Sequence, residues 1–211
     1  MFSEFAKVSS ATWGVIVALL LVGIVVFAVS KDRKRWTARM LANGALCIAL
    51  STVLSFVTLY KMPQGGSITL ASMLPMFLFA YAYGVGPGML VGAAYGFVQF
   101  LQGGLYFVHP VELLLDYPLA FAMLGLAGLS NKFSDQWGMI PGIILGTFGR
   151  FVCAFLSGLI FFGMYAPEGQ NVVIYSMVYN GLYLVPEAII CIVLAMIPQI
   201  RQLAKRLALQ D

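Results

Sequence analysis

Apolar runs of about 20 residues, the length that crosses a hydrocarbon core, follow one another along almost the whole chain. No other feature restricts the fold as much. Reading runs bounded by polar, Gly or Pro punctuation gives seven candidate spans, at roughly 12–30, 37–60, 69–83, 87–102, 112–129, 139–163 and 172–197. Helix is the expected state of each, because a segment in lipid must satisfy its own backbone hydrogen bonds. The third and fourth are short and joined by "YGVGPG", so a tilted or partly irregular pair is expected there. The first run ends in "KDRKR" rather than in a small-residue cleavage site, and "MFSEFAKVSS" ahead of it is not strongly basic. It reads as a retained helix and not as a signal peptide.

Composition agrees with this. Of the 211 residues 61% are hydrophobic and 9% charged, against roughly 25% charged in a soluble domain. The net charge of +4 does not imply a nucleic-acid partner, since the basic residues sit at segment ends. They report topology. With the loop after the first span placed inside, Lys31, Arg33, Lys34, Arg35, Arg39, Lys132, Arg201, Lys205 and Arg206 are all cytoplasmic, against Lys7 and Lys61 outside. The N-terminus is then outside and the C-terminus inside. Loops at about 61–68, 103–111 and 164–171 face outward and hold the unusual sequences "KMPQGGSI", "GGLYFVHPV" and "YAPEGQNV".

Several side chains stand out against the apolar background. Asp116, in "HPVELLLDYPLAF", lies about one turn beyond Glu112, and a carboxylate at that depth faces either a cavity or a partner helix. Asn180, in "MVYNGLYLVPE", either joins helices or reads a polar ligand edge. Gly181 beside it is read as allowing a close approach, and Glu187 two turns on lies near the same face. Tyr175 is five residues from Asn180, so either the helix begins after it or its phenol reaches around. Tyr106, Phe107, Phe161, Phe162, Tyr165, Tyr175, Tyr179 and Tyr183 cluster toward the outer side, as an interfacial belt or as a pocket for a flat or cationic ligand. Arg150 is a cation within a span and needs carboxylate, carbonyls or water as partner.

Other chemistries lack their groups. His109 is the single histidine, and Cys47, Cys153 and Cys191 show no ligand spacing, so no metal site is expected. His109 is read as shaping the outer loop before Pro110, with ligand contact as the alternative. Three cysteines inside apolar runs do not make a disulfide framework. No G-x-x-x-x-G-K-[ST], H-E-x-x-H or G-x-S-x-G occurs. No catalytic residue is assigned, and the chain is not expected to be an enzyme or to hydrolyse ATP. Ala38 and Ala42, then Ala45 and Ala49, recur at four-residue spacing, which suits close packing within the chain or against another membrane subunit.

Three stretches carry a family resemblance. "MPQGGSITLASMLPMF", "HPVELLLDYPLAFAMLGLAGL" and "SGLIFFGMYAPEGQNVVIYSMVYNGLYLVPEAI" resemble the thiamine-specific substrate-binding subunits (S components) of energy-coupling factor transporters, over about residues 37 to 198. The resemblance implies an all-α membrane protein, a six-helix bundle that captures vitamin from outside. It implies as partners a transmembrane coupling subunit and two ATPase subunits, which hydrolyse the ATP, and no cofactor. Residues 1–36 would be an extra helix with a basic linker, 37–198 the binding domain and 199–211 a cytoplasmic basic tail. The family's pocket carboxylate falls on Asp116 and its outer-loop aromatic on Tyr106. The tyrosine and asparagine of the last helix fall on Tyr175 and Asn180, and a further pocket aromatic on Phe162. Gln64 to Ser67, with Gly66 among them, would form a gate. The Ala38–Ala42–Ala45–Ala49 face would meet the coupling subunit. Many relatives carry histidine eight residues before the Phe162 position, where this chain has Ala154. A pyrimidine or thiazole precursor is the alternative ligand, and a small intramembrane enzyme the alternative class.

Overall fold

The computed structural model describes residues 36–103, 109–132 and 137–209. The expected first span, 12–30, lies outside them. The chain forms α1 (Ala38–Phe56), a hairpin of β1 (Thr58–Lys61) and β2 (Ser67–Thr69), α2 (Leu74–Tyr83) and α3 (Val85–Gln102). A composite span follows: α4 (Pro110–Leu114), a π-helical turn (Leu115–Leu119), α5 (Ala120–Ala122) and a 3₁₀ run (Met123–Lys132). Then come α6 (Met139–Phe161), a 3₁₀ turn (Gly163–Tyr165), α7 (Val172–Ala195) and α8 (Pro198–Leu209). Among the described residues Ala38–Phe56, Pro110–Asn131, Met139–Phe161 and Val172–Ala195 are long and apolar enough to cross a membrane.

Local chemistry sets the ends. The Thr37 hydroxyl accepts the Met40 N–H (3.1 Å) at the start of α1, and Asn171 Oδ1 accepts the Val173 N–H (2.8 Å) at the start of α7. The expectation of helix over 37–60 is corrected: α1 stops at Phe56, and Thr58–Lys61 is a strand paired antiparallel with β2. Pro63, Gln64 and the two glycines reverse the chain there, with Gly65 at φ 113, a conformation open to glycine. The third expected span is corrected likewise, since Thr69 ends β2 and α2 begins only at Leu74.

α2 has 10 residues, all buried, and at about 1.5 Å per residue it reaches only half-way across a bilayer core. Being apolar all round, it fills the centre of the bundle rather than facing lipid. Met40, Met139, Ile143, Cys191, Ala195 and Ala204 surround it. These residues come from the start of α1, the start of α6, the end of α7 and α8, so the solid core occupies one end of the molecule. Pro198–Leu209, expected as a basic tail, is a helix laid against α2 with Ala204 fully buried.

α3 and the composite span approach closely through glycine. A Cβ on Gly92 would overlap the Phe121 carbonyl oxygen, and one on Gly96 would come 2.5 Å from that of Tyr117. Pro118 has no N–H to give the helix, and it lies inside the π-helical turn that carries Asp116.

Candidate functional site

At the end opposite the core, the helices part around a cavity of about 380 Å³. The contributing segments are the end of α1, the hairpin, the end of α3, the start of the composite span, the end of α6 and the start of α7. Asp116, Asn180, Tyr175, Phe162, Gln64 and Gly66 all line it. Six candidate ligand residues, far apart in sequence, are thus brought to one hollow. Tyr106 lies outside the described residues.

Asp116 and Asn180 are anchored to neighbouring turns of α6. Ser157 Oγ donates to Asp116 Oδ2 at 2.7 Å. Asn180 Nδ2 donates to the carbonyls of Ala154 (3.2 Å) and Ser176 (2.9 Å), while its Oδ1 accepts the Tyr183 hydroxyl at 3.0 Å. Asn180 therefore ties α7 to α6, and it also lines the cavity. The two helices come close because Gly158 has no side chain; a Cβ there would overlap Ser176 Oγ. Tyr175 belongs to α7 and nonetheless lines the hollow, so the phenol reaches around from one turn above Tyr179. Gly181, expected to permit a close approach, has open space beside it: among the described residues nothing lies within 4 Å of where a Cβ would stand.

The aromatic cluster divides. Phe162, Tyr175, Tyr179 and Tyr183 line the cavity. Phe161 instead stacks on the His109 ring (centroids 5.3 Å, 14° between planes). His109 itself caps α4: Nδ1 accepts the Val111 N–H at 3.1 Å, and Glu112 Oε2 accepts the His109 N–H at 3.3 Å. It shapes the chain ahead of the helix, and it is not among the residues lining the cavity.

Other lining residues carry no site assignment from the sequence. Phe56, Tyr117 and Phe121 add aromatic surface, and Lys61, Gln99, Gln102 and Arg150 add polar groups. Arg150 sits over the Phe121 ring, 4.0 Å from its centroid, a cation–π arrangement that sequence could not show. The glutamines had a readable signal, two amides three residues apart in an apolar helix. Gln99 Nε2 donates to Gln102 Oε1 (2.7 Å) and to the Tyr95 hydroxyl (2.8 Å), which donates to the Ser51 carbonyl (3.1 Å). Among the described residues no three His, Cys, Asp or Glu side chains gather as metal ligands.

The hairpin forms the roof. Gln64 N–H donates to the Tyr179 hydroxyl at 2.9 Å. Gly66 lies on the Tyr183 ring so closely that a Cβ would come 2.6 Å from two ring carbons. The glycine-rich loop is therefore an ordered turn resting on α7.

The fold and the hollow define a class: a multi-pass membrane protein of the cell membrane with a cavity at one end of a helical bundle. Residues 41–207 match the family of the thiamine transporter protein (Thia_YuaJ), and the chain belongs to that family. It is similar to the thiamine transporter ThiT of Bacillus subtilis (strain 168), 37% identical over 160 residues that span 70% of this chain and 83% of that protein. It is also similar to the thiamine transporter ThiT of Lacticaseibacillus paracasei, 32% identical over 52% of this chain and 61% of that one. A solved structure of ThiT from Listeria monocytogenes superposes with a TM-score of 0.70 at 25% identity, covering 80% of this chain and 96% of the other.

Proposed function

We propose that the chain is a thiamine-binding S component of an energy-coupling factor transporter, and that the cavity is its vitamin site. The observation that carries this is the sharing of one hollow by the Asp116 carboxylate, the Asn180 amide and several aromatic faces. Thiamine joins a positively charged thiazolium to an aminopyrimidine. Asp116 Oδ1, with no protein donor among the described residues, is placed to accept from the ligand or to balance its charge. Phe162, Tyr175 and Tyr179 offer faces to its rings. The cavity end carries the loops expected outside, so vitamin would enter from there beneath the Gln64–Ser67 turn.

The chain is a transport component and not an enzyme. Its proposed partners are a transmembrane coupling subunit and two ATPase subunits, which would hydrolyse the ATP; no cofactor is assigned to this chain. The domain division at 36 and 198 stands as part of the same proposal.

Titration calorimetry on the purified chain in detergent tests the reading. Saturable binding of one thiamine is expected, and heats that never saturate would reject it. Ala154, buried at the cavity wall where the resemblance implies histidine in many relatives, keeps a thiazole or pyrimidine precursor as the second ligand. Competition by each compound against thiamine distinguishes them.

A further inference from the structure

The roof of the cavity is held by a single stripe on α7. Tyr179, Tyr183 and Glu187 follow at four-residue intervals and so lie one above another on the helix. They meet the hairpin in order, from tip to root. Tyr179 holds the Gln64 N–H, Tyr183 supports Gly66, and Glu187 holds Thr69 at the end of β2.

These contacts differ in kind. At the tip the contacts are neutral: the backbone of Gln64 and Gly66 meets the Tyr179 hydroxyl, and Gly66 rests on the Tyr183 ring. At the root, Glu187 is 2% exposed and gathers three donors. Its Oε2 accepts the Thr69 N–H (2.5 Å), and its Oε1 accepts the hydroxyls of Thr69 (2.5 Å) and Ser72 (3.2 Å). The Thr69 hydroxyl in turn accepts the Ser72 N–H at 3.2 Å. Hydrogen bonds to a carboxylate are about twice as strong as neutral ones, and removing the acceptor would leave buried donors unsatisfied. Just beyond the root, buried Ala71 adopts a left-handed φ of 57 before α2 enters the core. The hairpin thus has a firm root and a lightly held tip. Glu187 is not among the residues lining the cavity, so its place is beside the hinge and not beside a ligand.

We infer that Glu187 is a positioning residue for ligand capture, an inference that rests on the thiamine reading of the cavity. Its carboxylate fixes the root of the hairpin so that the tip returns to Tyr179 and Tyr183 over an occupied site. Opening consists of breaking the Gln64–Tyr179 bond and lifting Gly66 from Tyr183 while the Thr69–Ser72–Glu187 cluster stays made. With the root released, the closed position is one of several, and a bound molecule escapes more often. Entry needs only an open roof and changes less.

The test uses the full chain, radiolabelled thiamine for association and dissociation rates, and amide hydrogen exchange without ligand. Glu187→Ala is expected to speed dissociation about tenfold or more while association stays within about threefold. Exchange in residues 58–69 should accelerate and that of α6 should not. Glu187→Gln retains an acceptor oxygen and should fall between wild type and Glu187→Ala in both readouts. Unchanged dissociation from Glu187→Ala, or unchanged exchange in 58–69, would overturn the inference. Should that variant loosen the whole bundle, Thr69→Val, which removes only the hydroxyl from the cluster, decides: faster dissociation supports the clasp and a wild-type rate overturns it. Wild-type protein that binds no thiamine would instead defeat the functional reading, and the ligand-free exchange comparison would still report on the clasp.

Discussion

Asp116 concentrates the chemistry of the site in one side chain. A carboxylate within an apolar span is retained at a cost of a few kcal/mol unless it is partnered, and here Ser157 satisfies only one of its oxygens. Replacing it by Asn keeps the size and the Ser157 contact but removes the charge. Thiamine affinity is expected to fall at least tenfold, about 1.4 kcal/mol, when Asp116→Asn is titrated beside wild type. Equal affinities would take Asp116 out of the site. Asp116 was legible in the sequence because polarity inside an apolar run is conspicuous, and the same holds for Asn180 and for Gln64 in its polar loop. Arg150 was conspicuous too, but its partner is the Phe121 ring. A cation–π pair between two spans leaves no spacing to read. His109 shapes the chain before Pro110 as expected, and Glu112 three residues later supplies the second half of its capping box.

At the scale of elements, hydropathy located the apolar helices among the described residues and failed at their edges. Thr58–Lys61 continues an apolar run, and nothing in its composition separates a strand from one more helical turn. Pairing with Ser67–Thr69 becomes possible only because Gly65 takes a positive φ. The composite span was legible as a hydrophobic stretch, whereas its π-helical turn and 3₁₀ run depend on packing against α3. Alanines recur at four-residue spacing in α1, yet α3 makes its close backbone contacts through Gly92 and Gly96, whose four-residue spacing is equally visible. Gly92→Ala would drive a methyl into the Phe121 carbonyl, and overpacking of this kind costs about 1–3 kcal/mol. A lower thermal unfolding midpoint is expected for Gly92→Ala. Gly181→Ala, in open space on α7, should leave the midpoint unchanged or raise it, since Ala in a helix gains about 0.5–1 kcal/mol over Gly. Equal midpoints for the two variants would mean that α3 and the composite span are not held by close backbone contact.

For the molecule as a whole, the two ends have separate tasks, with a dense core around α2 at one and the roofed cavity at the other. α1 runs the length between them. Its Met40, Gly44 and Ser51 are buried, and Gly44 sits against Val91 and Phe79. Ala38, Ala42, Ala45 and Ala49 are exposed. Small residues turned away from the chain's own core contribute nothing to its packing, but they let another membrane helix approach closely. On the proposed function that helix belongs to the coupling subunit. The double variant Ala42→Leu, Ala45→Leu adds bulk only on the exposed side, so folding and thiamine affinity should match wild type. Recovery of the coupling and ATPase subunits in co-purification should fall about tenfold or more, because Leu side chains hold helices apart at such a face. An intact complex would assign the alanine face to lipid. Loss of thiamine binding along with the complex would show instead that the face supports the chain's own fold, and the separation of capture from coupling along α1 would fail.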